Sequence, residues 1–233
     1  MRILLVKTSS LGDVIHNLPV VSDIRRHFPD AEIDWCVEES FAAIPRLHPG
    51  VREIIPVAIR RWRKQLTKTA TWREIAAFRQ QIAAKPYAAV IDTQGLVKSA
   101  LLARRAKGPR LGYAADSARE PLAARCYDRT FHIARDLHAV VRNRLLAAAA
   151  LGYATAGEPD YGIDTVPGAF PWLPHRPYVV FLTATSRDDK LWPETNWLAL
   201  GRHLNSLGFS CVLPGGSAVE RERASRLASA IPG

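Results

Sequence analysis

Apolar and polar positions along the chain form a repeating pattern: short β-like runs, each followed by a stretch of helical period. The run at 2–7 (RILLVK) leads into an amphipathic segment from Val14 to Arg26. The run at 32–38 (EIDWCVE) precedes 39–47 (ESFAAIPRL), and 51–57 (VREIIPV) precedes a basic stretch and a helix over 72–84. A fourth run, 88–93 (AAVIDT), is followed by a helix over 96–106, while 110–114 and 130–134 are weaker strand candidates. Residues 138–153 (HAVVRNRLLAAAALGY) predict a helix, because alanine and leucine are strong helix formers and Gly152 suits its end. Apolar strands alternating with helices predict an α/β fold with a parallel sheet covered on both faces.

The pattern lapses over 154–177, where proline and glycine are frequent, and this segment reads as a linker. It then restarts with strands over 178–184 and 209–215 and helices over 193–208 and 218–230. The predicted organisation is a first domain over 1–153, the linker, and a second domain over 178–233. Two strands make a meagre sheet with unpaired edges, and a unit of about 60 residues buries little surface. The natural protein is therefore expected to continue beyond Gly233.

Composition narrows the partners. The chain has 233 residues, with 32 Lys and Arg against 22 Asp and Glu, a formal charge of +10. That balance favours anionic partners: nucleic acid, acidic lipid, or phosphorylated and carboxylated sugars. Cys36, Cys126 and Cys211 lie far apart without metal or redox spacing, and an odd count argues against a disulfide framework, so a reducing cytoplasm is expected. The N-terminus lacks the apolar core and cleavage site of a signal peptide. No apolar stretch approaches the roughly 20 residues of a membrane span. Nothing resembles a DNA-reading helix, a zinc site or an RNA-stacking platform, which leaves a nucleic-acid partner resting on charge alone.

Candidate chemistry gathers at strand ends, where parallel α/β sheets bind ligands. The stretch KTSSLGD (7–13) empties the first strand into two hydroxyls, a glycine and a carboxylate. Ser9, Ser10 and the free amides of the helix start can donate to an anion, and Gly12 permits a tight turn and close backbone approach. Asp13 reads as a helix cap or as a general base, and the two readings are compatible. The stretch matches neither the dinucleotide nor the P-loop fingerprint. DTQGLVKSA (92–100) repeats the arrangement, placing Asp92, Thr93, Gln94 and Lys98 on the same sheet edge, with turn chemistry as the competing reading.

Arg60, Arg61, Arg63 and Lys64 surround Trp62, which suits either a solvated basic face or a grip on carboxylates, phosphates or anionic lipid. Arg119 is a substrate clamp or the partner of a neighbouring acid. In 183–194 (TATSRDDKLWPE), Thr185, Ser186 and Lys190 precede a helix in a manner suited to a diphosphate. Asp188 and Asp189 are not read as a metal site, since adjacent residues project differently and Lys190 competes. Glu220 suits a ribose contact or a solvated helix face.

Together RILLVKTSSLGDVIHNLP, IIPVAIRRWRK, DTQGLVKSALLARR, AREPLA and TSRDDKLWPE resemble the ADP-heptose:lipopolysaccharide heptosyltransferases, glycosyltransferase family 9. The resemblance runs along essentially the whole chain. It implies a GT-B architecture, two Rossmann-like parallel-sheet domains facing a cleft, the second incomplete here. It implies inverting transfer of L-glycero-D-manno-heptose from ADP-heptose to Kdo of Kdo-lipid A, without an essential metal or other cofactor, by a cytoplasmic protein peripheral at the inner membrane. Asp13 then corresponds to the base. Ser10, Gly12, Thr185, Ser186, Lys190 and Glu220 fall on the donor side. Arg60, Arg61, Arg63, Lys64, Gln94, Lys98 and Arg119 fall on the acceptor side. The family's later Asp-Thr-Gly-x-x-His segment is missing, so a chain ending at Gly233 is expected to bind ADP-heptose poorly and turn over little. Alternatives are a transferase adding a later heptose and an inactive acceptor-binding fragment.

Overall fold

The computed structural model describes residues 1–163, 168, 170–185 and 187–231, and divides the chain into two compact units, Met1–Val166 and Pro167–Gly233. The first unit is built on six parallel strands: β1 (Arg2–Val6), β2 (Glu32–Glu38), β3 (Val51–Val57), β4 (Ala89–Asp92), β5 (Arg110–Tyr113) and β6 (Arg129–Phe131). Their order is β3-β2-β1-β4-β5-β6, with β1 between β2 and β4. Register runs Leu4 to Asp34 on one side of β1 and Leu4 to Val90 on the other. The order reverses between β1 and β4, which is where such sheets open a crevice at the carboxyl ends of their strands.

Two-sided burial explains why the strands read as near-continuous apolar runs. Ile3 and Leu5 enter one core with Trp35, Ile91, Leu18 and Leu146, while Leu4 and Val6 enter the other with Ile55, Phe78 and Ile82. Cys36 is wholly buried in the second core, whereas Cys126 and Cys211 are half-buried. The helices of the first unit are α1 (Leu11–Ile15), α2 (Leu18–His27), α3 (Ile59–Trp62), α4 (Thr69–Ile82), α5 (Val97–Ala103) and α6 (Ala139–Leu151).

Local chemistry reshapes several predicted elements. The helix expected from Val14 to Arg26 is two helices, because Pro19 is tolerated in a first turn but not in a helix interior. The 39–47 segment forms only the 3₁₀ turns Glu39–Phe41 and Pro45–Leu47. Gly152 ends α6 in the left-handed region, with φ 78°. The boundary between units falls inside the expected linker, and the start of that linker is held by the first unit. Arg144, paired with Asp23 at 2.7 Å, also donates to the carbonyls of Ala156 and Gly157.

The second unit has one parallel pair, β7 (Tyr178–Val180) and β8 (Ser210–Val212), with α7 (Glu194–Ser206) and α8 (Ala218–Ala230). Both strands are shorter than the sequence pattern predicts. Phe181, Ala224, Leu227 and Ile231 form its buried apolar centre, and Phe181 stacks obliquely on Trp197. Among the described residues, no helix is long and apolar enough to cross a membrane.

Candidate active site

The crevice at the β1/β4 reversal is lined by the two glycine turns singled out in the sequence, which play different parts. After β1, Lys7, Thr8 and Ser9 turn inward and are buried, while Ser10, Leu11 and Gly12 are exposed. Asp13 lies at the third position of α1 and is not its N-cap. Ser10 is the cap, and its N–H and hydroxyl both donate to Asp13 Oδ2, at 2.9 and 3.0 Å. Oδ1 accepts no hydrogen bond from the described residues and remains available. Burial alone would raise the Asp13 pKa. The Ser10 hydrogen bonds and the charges of Lys7 and Arg119 outweigh it and hold the carboxyl below its ordinary range.

Gly12 carries no left-handed backbone, and a Cβ there would meet nothing within 4 Å. Its expected role in a tight turn is therefore not observed. What it leaves is open space beside the helix start.

Behind this turn stands the second. Asp92, at the end of β4, is fully buried, and its Oδ1 accepts from the amides of Gln94 (2.8 Å) and Gly95 (3.3 Å), its Oδ2 from the Tyr127 hydroxyl (2.7 Å). Burial raises the Asp92 pKa against the pull of these donors. Two glycines make the arrangement possible. Gly95 has φ 66°, and a Cβ on Gly112 would lie 2.3 Å from the Tyr127 ring. The turn presents Gln94, whose carboxamide is wholly committed: Oε1 accepts from Thr8 N and Thr8 Oγ1, both 2.7 Å, and Nε2 donates to Ser9 O (3.1 Å) and Ser9 Oγ (3.3 Å). Gln94, expected on the acceptor side, is a buried clamp on the β1 loop. Its amide has no capacity left for a ligand.

Lys7 opens the KTSSLGD stretch, and its role shows only in the folded chain. Its Nζ donates to Thr93 O at 2.8 Å and to Asn143 Oδ1 at 3.4 Å. Burial pushes its pKa down to about 8, with Asp13 and Asp92 acting in the opposite direction. Glu38, at the end of β2, is also missed. Burial raises its pKa, and its Oε1 accepts from the Arg60 amide at 3.1 Å. No local pattern marks either residue, because both roles depend on strands distant in sequence.

The basic run divides. Arg61 is held by Glu39 (2.9 Å) and Glu74 (2.8 Å), and Glu74 also accepts from the Trp62 indole at 2.8 Å. Arg61 is therefore an internal tie, and Trp62 belongs to the core rather than to a binding surface. Arg60, Arg63 and Lys64 are exposed, Arg60 lying 5.2 Å from the Phe41 ring. Lys98 reaches Ser9 Oγ at 3.1 Å, which puts it at the crevice edge with the exposed Arg119.

In the second unit Thr185 and Lys190 are exposed, Lys190 closing the 3₁₀ turn Asp188–Lys190. Asp189 pairs with Arg187. Ser186 lies outside the described residues. Glu220 completes a capping box with Ser217, accepting from the amides of Gly216 (2.9 Å) and Ser217 (2.8 Å), and those amides hold its pKa low. The Ser-x-x-Glu spacing is the local signal of this cap. Among the described residues no group of three or more His, Cys, Asp or Glu is placed to hold a metal ion.

The model of glycosyltransferase family 9 (heptosyltransferase) matches residues 75–232. Lipopolysaccharide heptosyltransferase 1 of Pseudomonas aeruginosa is 50% identical over 239 residues, covering 99% of this chain and 65% of the relative. That of Escherichia coli K12 is 48% identical, covering 98% of this chain and 72% of the relative. The structure of E. coli heptosyltransferase WaaC with ADP superposes with a TM-score of 0.90 at 47% identity, covering 99% of this chain and 73% of that one. A structure of E. coli ADP-heptose LPS heptosyltransferase II, at 20% identity and a TM-score of 0.72, shares the fold. The chain belongs to glycosyltransferase family 9, the heptosyltransferases, and has their α/β fold. It spans about two-thirds to three-quarters of the length of these relatives.

Proposed function

We propose that the protein acts in inverting transfer of L-glycero-D-manno-heptose from ADP-heptose to Kdo of Kdo-lipid A. The observation that carries the reading is Asp13: a carboxylate at the sheet's ligand edge, held ionised, with Oδ2 anchored and Oδ1 free. Asp13 Oδ1 takes the proton of the acceptor hydroxyl as that oxygen attacks the anomeric carbon opposite the departing ADP. Lys190 offsets charge developing on the diphosphate, with Thr185 and Ser186 donating to it and Glu220 contacting the ribose. Ser10 and Gly12 border the donor. Arg60, Arg63, Lys64, Lys98 and Arg119 receive the carboxylate and phosphates of the acceptor. No metal takes part in this scheme. The reading extends to a cytoplasmic protein that works against the anionic inner face of the membrane. Relatives named as lipopolysaccharide heptosyltransferase 1, and a WaaC structure with ADP-2-deoxy-2-fluoro heptose at 48% identity, support the donor and the pathway.

The test is ADP release from ADP-heptose with Kdo-bearing lipid A, run on the native reading frame beside Asp13→Asn and Asp13→Ala. Asparagine can still accept from Ser10 but cannot take a proton. Acceptor-dependent release that collapses in both variants supports a base. Full release by Asp13→Asn would reduce Asp13 to the partner of the Ser10 cap.

A further inference from the structure

The α4–α5 face of the first unit carries apolar surface and charge that the transfer scheme does not use. A groove of about 270 Å³ lies along these helices, walled by Ile75, Phe78, Leu101 and Leu102, with the exposed Arg79 and Arg105 among its walls. Leu101 is 48% exposed. Beyond it stand Leu66, 51% exposed, and Trp72, 57% exposed. The Trp72 indole N–H already donates to Leu66 O at 2.8 Å, so the ring offers water an apolar body with its polar atom satisfied. Trp72 and Arg79 are seven residues apart and share one face of α4, with Ile75 beside them on the groove side.

The charge around this surface is uncompensated. Arg63, Lys64, Lys68, Arg79 and Arg105 are exposed, and among the described residues none has a carboxylate within 4.0 Å. Arg61 alone of the neighbouring run is neutralised, by Glu39 and Glu74. An exposed tryptophan and leucines ringed by free cations match the interfacial pattern of proteins that rest on anionic bilayers. Nucleic acid fits less well, because the other rings of this face, Trp62 and Phe78, are buried and leave no second exposed aromatic for base stacking.

We propose that this face docks on an anionic lipid bilayer, with Leu66 and Trp72 entering the interface, the α4–α5 groove taking an acyl chain, and Arg79 and Arg105 meeting headgroups. The proposal deepens the membrane part of the reading above by naming the surface, and its test needs no transfer activity.

Co-sedimentation with phosphatidylcholine vesicles, with and without phosphatidylglycerol, measures the partition. The wild-type protein is expected to bind only the phosphatidylglycerol vesicles. Arg79→Ser/Arg105→Ser should weaken binding about thirtyfold, from about 1 kcal/mol per basic residue, and Leu66→Ser/Trp72→Ala about tenfold. Thermal melts by circular dichroism should match wild type, since these side chains are exposed. Brominated acyl chains should quench tryptophan emission in wild type and less in Trp72→Ala. Failure of wild type to bind phosphatidylglycerol vesicles overturns the proposal, as does binding indifferent to both double variants. A dimer abolished by Trp72→Ala, without vesicle binding, would assign the face to a second copy instead. Transfer to a soluble, chain-free acceptor should be unchanged in all variants. In the wild-type protein, no transfer with vesicle binding intact counts against the heptosyl reading, and transfer without vesicle binding counts against this surface.

Discussion

The turns after β1 and β4 look alike in sequence, and the structure gives them opposite work. Each has hydroxyl or amide side chains, an aspartate and a glycine at a strand end. In the β1 turn the aspartate faces the crevice and its glycine is conformationally ordinary. In the β4 turn the aspartate is buried, its glycine is left-handed, and its glutamine grips the β1 loop. One turn carries the candidate chemistry and the other holds it in place.

The largest expected effect separates these parts. Asp13→Asn should lower acceptor-dependent ADP release by about 10²–10⁴ with little change in melting temperature. The clamp comes next. Gln94→Leu strands the buried Thr8 and Ser9 groups, at about 1–3 kcal/mol, so denaturant midpoints should fall and kcat should drop more than acceptor KM rises. A rise in KM alone would return Gln94 to the acceptor.

The glycines should then move in opposite directions. Gly95→Ala should destabilise by about 1–2 kcal/mol, since alanine is strained at positive φ. Gly12→Ala should stabilise by about 0.4–1 kcal/mol, so any loss of activity there reports ligand approach rather than folding.

The last effect shows only as a pH dependence and concerns Lys7. Its folded pKa, near 8, lies below the ordinary lysine value of 10.5, so the unfolded chain holds the extra proton between those values. Stability should therefore rise with pH from about 8 to about 10.5, and Lys7→Met should erase that slope. The same variant removes a cation that lowers the Asp13 pKa, so the acid limb of kcat/KM should move to higher pH.

Strand positions were legible because β1, β2 and β4 are buried on both faces and advertise it. Asp13 was legible because a carboxylate after a strand stands out. Its cap partner was not, and the hydrogen bonds that define Gln94 reach Thr8 across 86 residues, a pairing fixed only by the β1–β4 register. Arg61 shows the same limit. Counted along the chain it is one of four cations, but folding sets it between Glu39 and Glu74. Tyr127 lies just past a 3₁₀ turn, in no periodic element, and nothing local marks it as the donor to Asp92.

The distribution of thiols has a practical consequence. Cys36 is sealed in the core and burial drives its pKa up, so it stays inert to alkylation. Cys126 and Cys211 are partly open, one in each unit. The wild-type chain thus carries its own pair of attachment points for spin labels or fluorophores, a molecular ruler with one mark in each unit.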